Sequence, residues 1–179
     1  TGNDPYFYFI LVQDALTGEY KLYYIDGSNR ILVKTIPNPS KLVAANFAYH
    51  PGSGQIAVSP HNPGANIQLL QFDASTDTLS FVQEIPNSGN FDTAGEAIYD
   101  VEFSPDGSKL FISRHGDAVQ PGVLYRYDLT NPMASLDQVN PNPLFRSFGV
   151  QVGPHRRIYY LYQENKLLTF LLKYHIYFF

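Results

Sequence analysis

The sequence predicts an all-β chain made of repeated four-stranded antiparallel sheets, and three observations carry that expectation. Charged residues make up 16% of the chain, against roughly 25% in an average soluble protein. Tyr (14) and Phe (13) are abundant, and aromatic side chains favour pleated, half-buried surfaces. Above all, one pattern is written three times: NFAYHPGSGQIAVS around Pro51, IYDVEFSPDGSKLFIS around Pro105 and GVQVGPHRRIYYLY around Pro154.

Aligned on those prolines, the repeats are spaced by 54 and 49 residues. Two and four residues before each proline stand Tyr49 and Phe47, Phe103 and Val101, Val152 and Val150. A period of two marks one face of a strand. Past each proline comes a turn carrying Gly, Asp or His, then a second apolar run at Ile56, Leu110 or Ile158, which predicts a hairpin. A third run ends in Asp: YKLYYID to Asp26, IQLLQFD to Asp73 and VLYRYD to Asp128. A Gly, Ser or Thr within two residues of each Asp suits an Asx turn, in which the carboxylate accepts backbone N–H bonds. The fourth runs, ILVKTIP, LSFVQEIP and LDQVNP, stop at Pro37, Pro86 and Pro141, because proline cannot continue a ladder.

Four-stranded repeats of about 50 residues are the signature of propeller blades, which pack radially and bury both faces. The expected units are about 1–40, 41–90, 91–143 and 144–179. The first shows strands at Tyr6 to Val12 and Tyr20 to Ile25, with its innermost strand expected upstream of Thr1. The prediction is therefore an incomplete β-propeller of about three and a half blades. Closed propellers have typically four to eight. Such an arc exposes blade faces that call for a protein partner or the remainder of a longer chain.

The segments AIYDVEFSPDGSKLFIS, LYRYDLTNP and SFGVQVGPHRRIYYLYQ together resemble the blades of secreted or surface β-propeller proteins of the Bacteroidota, in the WD40-like/YVTN class. The resemblance covers roughly Leu42 to Gln163. It implies an extracellular or cell-surface protein, often exported by the type IX secretion system. One departure is the turn Gly153-Pro154-His155-Arg156-Arg157-Ile158-Tyr159, where the family usually reads GPDGKIY. Another is the tail, residues 164–179, which matches no expected blade strand.

Composition excludes several classes. A net charge of -4 and a pI near 5.6 give no electrostatic footprint for nucleic acid. With no cysteine there is neither disulfide nor thiolate chemistry. The most apolar run, LLTFLLKYHIYFF, is too short to span a bilayer and contains Lys173 and His175. Gly52-Ser53-Gly54-Gln55-Ile56-Ala57 satisfies a dinucleotide fingerprint only formally, because it lies in a predicted hairpin turn and opens no helix.

Candidate ligand-binding residues come from two places. Five and three residues before the repeat prolines stand Asn46 and Ala48, Asp100 and Glu102, Gly149 and Gln151. On inner strands these positions face the channel, where Asn46, Asp100 and Glu102 offer oxygen ligands for a cation such as calcium. The plainer expectation is hydrated carboxylates and no cofactor. The second place is the loop Arg114-His115-Gly116-Asp117, similar to a basic Gly-containing loop of lactonase-type propellers, with His115 and Asp117 as its candidates. The leading expectation is a non-catalytic extracellular interaction or scaffold module. The alternatives are a fragment of a lactonase-like hydrolytic propeller and cargo bound to a secretion machine.

Overall fold

The structure is a computed structural model that describes residues 7–26, 29–38, 45–61, 65–85, 98–116, 120–131, 136–140, 144 and 146–163, and the backbone of 173–177. Among the described residues there is no α-helix, and the strands form four antiparallel sheets. The first holds β1 (Phe7–Gln13), β2 (Tyr20–Asp26) and β3 (Asn29–Ile36); the second holds β4 (Ala45–His50), β5 (Gln55–Pro60), β6 (Ile67–Asp73) and β7 (Thr78–Ile85). The third holds β8 (Ile98–Phe103), β9 (Lys109–Arg114), β10 (Val123–Asp128) and β11 (Asp137–Gln138); the fourth holds β12 (Arg146–Gly153), β13 (Arg157–Gln163) and β14 (Lys173–Tyr177). Within every sheet the strands neighbour one another in chain order. The described residues form successive antiparallel sheets of β-propeller type, as the repeats predict.

Local chemistry fixes the turns. Asp73 Oδ1 accepts the Ser75 N–H and hydroxyl at 2.8 and 2.6 Å, and Asp128 Oδ1 accepts the Thr130 N–H and hydroxyl at 2.9 and 2.6 Å. Those are the Asx turns expected of the third runs; the Asp26 side chain lies outside the described residues. In the hairpin after β4, Gly54 adopts φ +72°, and an added Cβ there would lie 2.3 Å from the Phe72 carbonyl oxygen. The dinucleotide-like glycines thus form a strand-to-strand turn. β3 and β7 end at Ile36 and Ile85, immediately before Pro37 and Pro86.

Packing explains the scarcity of charge. Successive residues of one strand feed opposite cores. Ile56 and Val58 of β5 join Tyr20, Leu22 and Ile36 of the first sheet, whereas Ala57 between them joins Leu110, Ile112, Val101 and Phe103 of the third. In β9, Leu110 and Ile112 face back to the second sheet and Phe111 faces forward to Val150, Ile158 and Tyr160 of the fourth. A sheet buried on both sides has no solvent face on which to alternate polar residues, and each Leu, Ile, Val or Phe buried contributes roughly 1.5–3 kcal/mol.

Two departures from expectation are instructive. Residues 173–177, in the tail that matches no blade strand, pair antiparallel with β13, with Ile158 opposite Tyr177 and Tyr162 opposite Lys173. In the third sheet the fourth run shrinks to Asp137–Gln138. There the Asn140 side chain takes over the ladder, its Oδ1 accepting the Leu124 N–H at 2.7 Å while the Val139 N–H bonds the Leu124 carbonyl at 2.8 Å.

Adjacent sheets approach closely enough to exclude a methyl group. A Cβ on Gly122 would sit 2.5 Å from Ser147 N and 2.7 Å from Arg146 C, both backbone atoms, whereas on Gly52 it would meet only the His50 ring, at 3.0 Å. Gly122→Ala is expected to destabilise by about 1–3 kcal/mol as the third and fourth sheets are forced apart. Gly52→Ala costs less. Urea midpoints measured at constant m-value check the pair.

Candidate functional site

Along the inner strands β4, β8 and β12, the polar residues singled out by the repeat are tied to the neighbouring strand. Asp100 Oδ2 accepts the Val150 N–H at 3.0 Å, and Glu102 Oε2 accepts the Val152 N–H at 3.2 Å. Their other oxygens accept the Val101 and Phe103 amides at 3.0 and 2.9 Å. One repeat earlier, Asn46 Nδ2 donates to the Tyr99 carbonyl at 3.0 Å and, at 3.5 Å, to Asp100 Oδ1. Among the described residues the inner strands of different sheets form no backbone ladder with one another, which leaves their inward amides open to other acceptors. Asp100 and Glu102 supply them.

Burial pushes both carboxyls above their ordinary values, against the opposing pull of the amide bonds. A hollow of about 320 Å³ lies beside them, lined by Phe47, Ala48, Asp100, Glu102, Gln151 and Tyr159 among others. Among the described residues, no three His, Asp or Glu side chains gather as metal ligands. The oxygens offered to a calcium ion in the sequence reading face amide donors.

At the end of the channel where β8 and β12 begin, four rings from three sheets meet. Tyr99 stacks between His61 and His115 with centroids 6.2 and 5.6 Å away, and Phe148 packs edge-on against Tyr99 and His115 at 5.8 and 5.3 Å. Tyr99 and Phe148 occupy β-bulges at the same repeat position, between Ile98 and Asp100 and between Ser147 and Val150. Bulges re-aim side chains. His115 Nδ1 lies 3.0 Å from the Ser147 carbonyl, so this nitrogen carries the proton in the neutral ring. Asp117 lies outside the described residues. Sequence reasoning singled out His115 and missed His61, Tyr99 and Phe148. The signal was present, because His61 and His115 each stand ten residues past a repeat proline, Pro51 and Pro105.

At the opposite end the turns are locked together. His50 Nδ1 accepts the Ser53 N–H at 3.1 Å, so Nε2 bears the proton directed at the Pro105 carbonyl, 3.4 Å away. Arg156 Nη2 donates to the same carbonyl at 2.9 Å. His155 and Arg156 adopt left-handed φ of 62° and 57°, a conformation that costs non-glycine residues of order 1–3 kcal/mol each. The turn His155-Arg156-Arg157 therefore places a guanidinium against Pro105.

No family model matches this chain, and no curated protein does. Solved structures with similar folds include TolB from Acinetobacter baumannii, with 16% identity and TM-score 0.55 over 94% of this chain and 37% of that one. A putative 6-phosphogluconolactonase from Bacteroides uniformis aligns at 14% identity and TM-score 0.63, over 97% of this chain and 56% of that one. A β-propeller domain from Myceliophteria thermophila aligns at 15% and 0.58, over 86% and 47%. At these identities the likeness shows the fold. The chain spans 37% to 56% of the length of these structures.

Two pH responses of opposite sign follow. Because the folded Asp100 carboxyl binds its proton more tightly than the unfolded one, it contributes stability at low pH that is lost as pH rises from about 4 through the raised value. Asp14 and Asp106 are held near 2, by the Lys21 ammonium and backbone amides and by Ser104 and Ser108 respectively. Their contribution is present above about 4 and lost as pH falls through about 2. The stability of the wild type minus that of Asp100→Asn is expected to be larger at pH 4 than at pH 7, read from urea midpoints. Asp100→Ala, which orphans the Val150 N–H, is expected to cost about 1–3 kcal/mol at pH 7.

Proposed function

We propose that this chain is a non-catalytic propeller module of interaction or scaffold type in a bacterial secreted or cell-surface protein. The supporting observation is how the inner-strand acids are used. Asp100 and Glu102, the strongest candidates for chemistry, each engage a backbone amide of the adjoining strand through one oxygen and an amide of their own strand through the other. The acids are thereby employed in joining and ordering strands, a structural use that supports the scaffold reading. What remains exposed is a rigid scaffold whose turns and strand edges present a surface, a common use of loops held on stable folds. The secreted or surface placement, and export of the type IX kind, rest on the resemblance of the blade segments.

The competing reading is a hydrolytic propeller using a channel cation or the His115 loop. Under the scaffold reading, 6-phosphogluconolactone and simple aryl esters are turned over no faster than in buffer, and millimolar calcium leaves Tm unchanged. A calcium site occupied at a hundredfold above its Kd would stabilise by about 2.7 kcal/mol and raise Tm by roughly 5–10 °C. Such a rise, or turnover lost in His115→Ala or Asp100→Asn, would overturn the proposal.

A further inference from the structure

At the hairpin end of the molecule two successive junctions between sheets are built differently. Between the second and third sheets the His50 ring fills the space. It lies against Gly107, where an added Cβ would meet it at 2.7 Å, and packs on Phe103 with centroids 5.8 Å apart. Between the third and fourth sheets the equivalent residues are Ser104, which like His50 stands one residue before a repeat proline, and Arg156, which like Gly107 stands two residues after one. A hydroxyl replaces the ring and a guanidinium replaces the glycine. Both line a hollow of about 460 Å³.

Basic side chains reach this hollow from three elements: Lys109 of β9, Arg126 of β10, and His155 and Arg156 of the turn before β13. Lys109 and Arg126 are paired with Asp128 and Asp137. The acid of the lining, Asp106, is engaged within its own hairpin, where Oδ1 accepts the Ser104 hydroxyl at 2.6 Å and the Ser108 N–H at 3.1 Å, and Oδ2 accepts the Ser108 hydroxyl at 3.0 Å. Arg156 differs from the other cations. It is exposed, it donates to the neutral Pro105 carbonyl, and among the described residues no carboxylate pairs with it. Arg156 and His155 also hold the left-handed φ that Gly107 adopts freely at +73°. Strain of this kind gathers at ligand clamps.

We propose that this hollow binds a small organic oxyanion, a carboxylate or a phosphate ester, clamped by Arg156 and His155. The inference goes beyond the scaffold reading, because it adds a ligand and requires no turnover. A guanidinium offers a planar fork of N–H donors that fits either oxyanion, and the imidazole adds another donor. The acids nearby do not oppose the ligand strongly: two are neutralised by Lys109 and Arg126, and Asp106 is surrounded by hydroxyl and amide donors. Phe111, Pro105 and the methylene stems of Lys109 and Arg126 suit an apolar body. The volume is in the range of small-ligand sites.

The probes are phenyl phosphate and phenylacetate, with benzyl alcohol as the neutral counterpart, titrated into the 179-residue chain by calorimetry. The expected result is saturable one-to-one binding of at least one anion with a Kd of about 1 mM or tighter. Whichever anion binds more tightly names the head group. Arg156→Gly is expected to weaken that binding about tenfold or more, through loss of charge-assisted bonds, while Tm rises by about 2–4 °C because glycine accepts the left-handed backbone. His155→Asn, a residue that tolerates the same backbone, weakens binding about threefold. Arg30→Gln, at an exposed cation on β3, leaves it unchanged. No saturation by either anion, equal binding of benzyl alcohol, or undiminished binding in Arg156→Gly would overturn the proposal. So would an equal loss in Arg30→Gln, which marks unspecific charge attraction, or a fall in Tm in Arg156→Gly, which makes the guanidinium a brace of the turn. Failure in any of these ways leaves the scaffold reading to the turnover and calcium measurements.

Discussion

Radial packing imposes one demand that hydrophobic burial alone cannot meet: the innermost strands converge edge to edge, with inward backbone amides that no ladder completes. A buried amide left without an acceptor costs about 1–3 kcal/mol. The third and fourth sheets meet the demand with carboxylates, Asp100 and Glu102 each accepting an amide of β12. The upward pull on both carboxyls, led by burial, means that desolvation outweighs the attraction of the amides for the charged form. The acids therefore contribute less by net electrostatic stabilisation than by sparing Val150 and Val152 the loss of a partner, and by fixing the register of β12 against β8.

The acids at the turns work in the opposite regime. Lys21 meets Asp14 and Lys109 meets Asp128 across hairpins, and these carboxyls are held below their usual range chiefly by those hydrogen bonds. Near water, desolvation is small and the donors dominate. Solvent also screens such pairs, so each closes a turn without adding much to global stability. One residue type thus performs two tasks, separated by distance from the channel.

The repeat made the architecture legible because each face of each sheet recurs at a fixed offset from a proline. Phe47, Val101 and Val150, four residues before Pro51, Pro105 and Pro154, could be assigned to one face with no knowledge of the whole. Offsets of five and three picked out Asn46, Asp100 and Glu102 as inner-strand polar residues, but not their partners. Those partners are backbone amides of other sheets, and an amide leaves no trace in the residue alphabet. The ring cluster escaped for a related reason. Strict alternation turns Tyr99 away from Asp100, and only the bulge between Ile98 and Asp100 determines where its ring goes. β14 was invisible because its pairing with β13 rests on backbone bonds that many sequences can make.

The inter-sheet contacts also show a trade between apolar and polar cohesion. Where the second sheet meets the third, the inner-strand tie is modest: Asn46 donates to the Tyr99 carbonyl, Ala48 replaces a carboxylate, and the Ser59 hydroxyl is buried with no hydrogen-bond partner among the described residues. The core between those sheets is correspondingly broad, running from Ala48 and Val101 near the channel to Ile85 and Tyr127 on the outer strands. Where the third meets the fourth, the core is narrower, and polar ties are dense. Ser113 bonds the Ser147 hydroxyl at 2.6 Å and the Phe148 carbonyl, Tyr160 bonds Ser147 as well, and both carboxylate staples lie here. The hydrophobic driving force is non-directional, whereas hydrogen bonds demand a particular distance and angle. The third and fourth sheets are thus held in a fixed register, and it is across this junction that Tyr99, His115 and Phe148 must keep their mutual geometry.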